Sequence, residues 1–195
     1  MIKDKKRKYL NFKFEDALPL KYKYSHKYCV FILNHIIHVH NSCKANKFYT
    51  TTIDKKKLNE EDFKIFNDLK AGEQMFEWLI EKKYFNIHFE IIYKIVIEKL
   101  FDDLIIFISE ALYNSQKGNL VITFTLLRKS LKENLVLLEW LLVNPKEFYM
   151  NFKSNVSKVS PLNIKSDKKM ELIKSAVSHL DNVLLDNQLI YNIRF

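Results

Sequence analysis

An all-α bundle of about five or six helices is the fold this sequence predicts, and three observations predict it. Only 2 of its 195 residues are Gly and 3 are Pro. That is too few for Gly-rich phosphate loops, a doubly wound dinucleotide fold or a turn-dense β-sandwich. The chain is 48% hydrophobic and 28% charged, so it can bury a sizeable core and is not a disordered composition. Apolar residues also recur at three- and four-residue spacing through its long segments. The length suits a single bundle domain, residues 21–195, behind a basic N-terminal arm, residues 1–20, expected to be poorly ordered.

Each element has its own signal. Residues 21–43 are ambiguous, because Lys21-Tyr22-Lys23-Tyr24 alternates like a strand while Tyr28 to Cys43 runs long enough for a helix. A helix is preferred, since a lone strand would have no partner. Residues 41–52 read as a polar loop. Asp54 to Lys83 carries Phe63, Phe66, Leu69, Phe76 and Leu79 at helical spacing, with Gly72 its weak point. Phe89 to Tyr113 places Ile92, Ile95, Leu100, Leu104, Phe107 and Ile108 on one broad face, and residues 114–119 close it at Gly118.

Leu120 to Val143 is the best-defined segment. At 100° per residue, Leu120, Phe124, Leu127, Leu131, Leu135, Leu138 and Leu142 form a stripe about 80° wide, which predicts a central helix packed by that stripe. Asn144-Pro145 stops it and starts a short helix through Phe152. After a polar linker, residues 153–166, a last helix is expected from Asp167 to Tyr191 with Ser166 as its N-cap.

The formal net charge of +9 is uneven. Residues 1–27 hold nine basic and three acidic side chains, whereas residues 28–127 are nearly balanced. Lys5, Lys6, Arg7 and Lys8 are therefore the candidate contacts to nucleic acid or another anion, by counterion release. With 29 Lys and only 3 Arg, non-specific RNA contact fits better than base reading, which favours the bidentate guanidinium. Abundant Lys, Asn and Ile also fits an AT-rich bacterial genome. Two cysteines, Cys29 and Cys43, are too few for a disulfide framework. The basic N-terminus lacks the apolar core of a signal peptide, and no stretch reaches 18 apolar residues, so a cytoplasmic protein without a membrane partner is expected.

Sites of chemistry are sparse. His35, His38, His40 and Cys43 are the densest group of zinc-type ligands, yet their spacing fits no standard tetrahedral site, so no metal is expected. No Glu is followed by His at the third position, as a di-iron bundle requires. No nucleophile elbow is present. Nothing implies a cofactor. On the central helix Arg128, Lys132, Glu133 and Glu139 form a charge cluster. Glu139 stands among Leu137, Leu138, Trp140 and Leu141, so it must be paired inside the bundle or face a partner; an interhelical salt bridge is the expected arrangement.

The run Leu126-Leu127-Arg128-Lys129-Ser130-Leu131-Lys132-Glu133-Asn134-Leu135, continued by Leu138-Glu139-Trp140-Leu141-Leu142, resembles uncharacterised all-helical bacterial proteins. It is similar, more distantly, to the HEPN superfamily of toxin–antitoxin and phage-defence systems. The HEPN resemblance implies a metal-independent ribonuclease with an Arg followed four to six residues later by His. The corresponding stretch here is Lys174-Ser175-Ala176-Val177-Ser178-His179, with Lys174 in place of the Arg. His179 would act as acid or base and Lys174 would neutralise phosphate. Position on the helix, however, sets His179 beside Leu172, Val183 and Ile190, as a core histidine. The leading expectation is a non-catalytic interaction or assembly module, not an enzyme, forming a homodimer or meeting a protein partner. A HEPN-like ribonuclease and a zinc-stabilised binding module are the alternatives.

Overall fold

A computed structural model of the chain describes residues 18–53, 57–69, 72–181 and 185–195. Among those residues every regular element is helical. In chain order they are α1 (Leu20–Ala45), α2 (Glu60–Asp68), α3 (Glu73–Glu81), α4 (Phe85–Gln116), α5 (Leu120–Arg128), α6 (Leu135–Val143), α7 (Pro145–Ser154), α8 (Ser166–Val177) and α9 (Asn187–Arg194). A π-helical turn, Lys129–Asn134, fuses α5 to α6, so the described residues form eight helical bodies rather than five or six. The arm contacts named above, Lys5 to Lys8, lie outside the described residues.

Helix α4 is the axis of the fold, and its sequence shows why. Its 32 residues span roughly 48 Å at 1.5 Å per residue. Apolar side chains occur on several sides of it, and it contributes to three core clusters. Ile105 and Leu112 meet Leu33 and Ile37 of α1. Ile87 meets Trp78 and Leu79 of α3 and Leu58. Ile97 and Leu100 join Val136, Trp140 and Leu141 of α6, Phe148 of α7 and Leu172 of α8. Helix α5 packs on α4 through Thr123, whose hydroxyl donates to the Ala111 carbonyl across the interface. Ala111 has no bulk to hold the two backbones apart, which lets that polar contact form.

Several boundaries follow local chemistry. Residues 21–43 are helical, and α1 continues to Ala45 where a loop was expected from residue 41. Gly72, at φ 129°, caps α3 and divides the 54–83 segment there; an L-residue with a side chain rarely adopts that conformation. Asn59 caps α2, accepting from the Asp62 amide, and buried Asp62 in turn binds Lys82 at 2.9 Å and the Tyr84 hydroxyl at 2.7 Å. Asn144 caps α7, accepting from the Glu147 amide, with Pro145 in its first turn. The last segment is two helices, α8 and α9, because Asp186 starts a new helix by accepting from the Gln188 and Leu189 amides. Lys165, not Ser166, is the N-cap residue of α8.

The largest departure concerns the central stripe. Leu120, Phe124, Leu131 and Leu142 are exposed, and Leu127, Leu135 and Leu138 are only half-buried. The residues that pack inward are Thr123, Ser130, Asn134, Val136, Trp140 and Leu141. A π turn holds more residues than an α turn, so the 3.6-residue period does not carry across it. The Ser130 hydroxyl donates to the Leu126 carbonyl at the start of this turn, a back-bond that bends helices.

Candidate functional site

The charge cluster resolves into one buried pair and three side chains that stay apart from it. Glu139 on α6 binds Arg194 at the end of α9, Nη1 to Oε1 at 2.5 Å, with only 5% of the arginine side chain and 12% of the carboxylate side exposed. Arg194 Nε also donates to the Leu131 carbonyl at 2.8 Å. Leu131 sits within the π turn, so one guanidinium donates both to the buried carboxylate and to a carbonyl of the irregular backbone. Burial pushes the Glu139 carboxyl above its ordinary range, and Arg194 pulls only part of that back. Within the pair, Glu139 Oε2 and Arg194 Nη2 are buried without hydrogen-bond partners. Phe195 closes the edge, with Lys169 Nζ 4.8 Å and Lys132 Nζ 5.6 Å from its ring centre. Arg128 is exposed, and Lys132 and Glu133 are half-buried.

The expected interhelical salt bridge is therefore present, with a partner that the sequence did not single out. The one signal that could have marked Arg194 is its place as one of three arginines, set in the largely apolar run 189–195; nothing in that run names Glu139 as its partner.

The histidine group is dispersed. His40 is buried; its Nε2 donates to Asp102 at 3.1 Å and its Nδ1 accepts from the Tyr49 hydroxyl at 2.9 Å. Burial lowers its pKa in spite of the hydrogen bond to Asp102. The same burial pushes the Tyr49 hydroxyl upward, with Cys43 as the next contributor. Burial would also raise Asp102, but hydrogen bonds from Lys44 and His40 more than offset it. His35 and His38 are exposed on α1, and Cys43 is half-buried. With both His40 nitrogens engaged, the group works as a clamp joining the end of α1, Tyr49 and α4. Among the described residues no three His, Cys, Asp or Glu side chains gather as metal ligands.

Lys174 and His179 are both exposed. His179 follows the end of α8 and is not the core histidine expected from helical position. Its Nδ1 lies 2.8 Å from the Ser175 carbonyl. A carbonyl only accepts, so Nδ1 carries the proton and Nε2 remains the basic nitrogen.

A cleft of about 360 Å³ opens between α6, α7 and α8, lined by Trp140, Glu147, Asn151, Lys158, Lys165 and Lys168. Two of its charges, Glu147 and Lys168, pair with each other across it. Glu147 accepts from Lys168 at 3.1 Å, from Asn144 at 3.1 Å and from the Trp140 indole at 3.3 Å. Among the described residues no helix is long and apolar enough to cross a membrane.

The outer surface of α5 holds Leu120 and Phe124, two members of the stripe expected to pack inward. Val121 is 82% and Phe124 67% exposed, with Leu120 and Ile122 exposed beside them. Apolar side chains of α1 likewise project on the side away from α4. Compared with known proteins, the chain matches no protein-family model, no curated protein and no solved structure.

Proposed function

We propose that the protein is a non-catalytic assembly module that works as a homodimer, paired through the outward face of α5. The exposed apolar face of Leu120, Val121 and Phe124 carries this reading. Half to four-fifths exposed, these residues with Ile122 leave on the order of 400 Å² of apolar surface in water, within the roughly 300–600 Å² of the largest patch on a typical monomer and a size often functional. With a polar rim it approaches the roughly 800 Å² per partner of a standard interface. No charged residue occurs from Gly118 to Leu127, so two copies meet there without burying an unpaired charge. A two-fold contact of this kind closes on itself.

Sedimentation velocity across a concentration range tests the reading. A dimer is expected for the native chain, and Val121→Glu/Phe124→Glu should weaken it at least ~100-fold, since two buried anchors are lost and like charges meet. Both positions are exposed, so the fold should survive. A chain that stays monomeric, or a dimer indifferent to the double substitution, overturns the proposal.

A HEPN-type, metal-independent ribonuclease is the second reading, favoured by the exposed His179 with Nε2 as its basic nitrogen. Chelator-resistant cleavage of structured RNA that falls ~100-fold or more in His179→Ala is the result it requires. Intact RNA under every condition eliminates it.

A further inference from the structure

We infer that the outward face of α1 is a platform for single-stranded nucleic acid, with bases stacking on Tyr24, Tyr28 and Phe31 and phosphates following Lys21 and Lys27. The inference rests on α1 alone and is independent of pairing through α5. Taking 100° per residue, Leu33 and Ile37, which pack on α4, define the inner side of α1. Tyr24, Tyr28, Phe31 and His35 fall on the opposite side. Tyr24 is 83% exposed, and Tyr28 and Phe31 each about two-thirds. A helix that is apolar on its inner face has no folding reason to carry three large rings on its outer one.

The charge of α1 selects the partner. Its 26 residues include Lys21, Lys23, Lys27 and Lys44 and no Asp or Glu. A second copy of α1 would bring like charges together, so the face fits an anion. The preceding sequence adds Lys3, Lys5, Lys6, Arg7, Lys8 and Lys13 against three acidic residues.

Among anionic partners the shape and chemistry of the ridge decide. A single helix back is convex and offers no groove to the apolar side of an acidic peptide helix. Lys21 and Lys27 share the outer side with the rings instead of segregating to the opposite face, as basic residues do in a helix that lies in a membrane interface. The rings succeed one another every three or four residues, a rise of roughly 4.5–6 Å. Phe31 and His35 lie with centroids 6.5 Å apart and planes inclined by 24°, about twice the ~3.4 Å rise of stacked bases. Flat rings beside flexible point charges bind a strand by stacking and backbone neutralisation, without reading its sequence.

The test is fluorescence anisotropy of a labelled single-stranded oligothymidylate of about 20 nucleotides, longer than the roughly 4–16 nucleotides of common single-strand sites. A DNA strand has no 2′-hydroxyl, so cleavage of the kind required by the ribonuclease reading cannot remove the probe. Binding that weakens with salt is expected. Tyr28→Ala/Phe31→Ala should lower affinity roughly 10- to 100-fold with an unchanged circular-dichroism melt. Tyr28→Phe/Phe31→Tyr, which keeps both ring faces, should bind as the native chain does. No binding at low salt, or equal binding by the double-alanine variant, overturns the proposal. So does ring-dependent capture of anionic phosphatidylglycerol vesicles by a protein that ignores the oligonucleotide.

Discussion

Arg194→Met is expected to lower the free energy of unfolding by about 3–5 kcal/mol, the usual cost of removing one partner from a buried ion pair. The substitution keeps the aliphatic bulk and removes the guanidinium. Two groups then lose their partner together: the Glu139 carboxylate and the Leu131 carbonyl of the π turn. A loss of this size takes a large share of the 5–15 kcal/mol that holds a typical domain. The pH dependence carries the diagnostic sign. Glu139 is already raised above its ordinary range by burial, with Arg194 pulling it partly back, so in Arg194→Met the carboxyl rises further. A folded-state value above the unfolded one gives stability that is present below the unfolded pKa and lost as pH rises through the folded value. The deficit should therefore be greatest at neutral pH and shrink toward pH 4, near the unfolded pKa of Glu. Guanidinium denaturation of the native chain and the variant at several pH values measures it. Arg194→Met/Glu139→Leu should recover most of the neutral-pH loss, because no buried charge is left unpaired. A neutral-pH cost below about 1 kcal/mol would show that water already satisfies Glu139.

That pair also marks the limit of what the residues reveal in order. The helical class follows from scarce Gly and Pro and from long apolar periodicity, and these are local properties. The Asn144-Pro145 stop and the positive φ of Gly118 were legible for the same reason. Glu139 was legible as a charge needing a partner, since it stands alone in an apolar run. Its partner was not, because Arg194 lies 55 residues away and only packing of α9 joins them. The leucine stripe of α5 and α6 exposes a different limit. Periodicity states which residues share a face, but not whether that face is covered. On α5 the neighbour is α4, which takes Thr123; on α6 the neighbours α4, α7 and α8 take Val136, Trp140 and Leu141. The π turn between them shifts the register, and nothing in the periodicity alone announces it. His40 reads in the sequence as one ligand among four, whereas Asp102 on α4 and the Tyr49 hydroxyl make it a structural clamp.

The second large effect belongs to Trp140, and a comparison with Leu142 tests which face of α6 is inside. Trp140→Ala is expected to cost about 3–5 kcal/mol, through lost transfer energy and the cavity left behind. The indole is 4% exposed and stands edge-on to Phe148, at 5.6 Å and 90°. Its Nε1 donates to Glu147, the carboxylate that also binds Lys168 and Asn144. Truncation thus empties the middle of the α4, α6, α7 and α8 cluster and loosens the polar clasp over the Asn144-Pro145 turn. Partial collapse around the vacated volume sets where within the range the cost falls, since Phe148 and Leu172 must move to fill it. Trp140→Phe keeps a ring against Phe148 and removes the indole donor, so it should cost distinctly less. Leu142, two residues on, is a member of the sequence stripe and is exposed; Leu142→Ala should fall within ±0.5 kcal/mol. Urea denaturation of the three variants beside the native chain measures the contrast. If Leu142→Ala cost as much as Trp140→Ala, α6 would be packed by its leucine stripe. The assignment of the outer face of the central rod, and with it the surface proposed for pairing, would then be wrong.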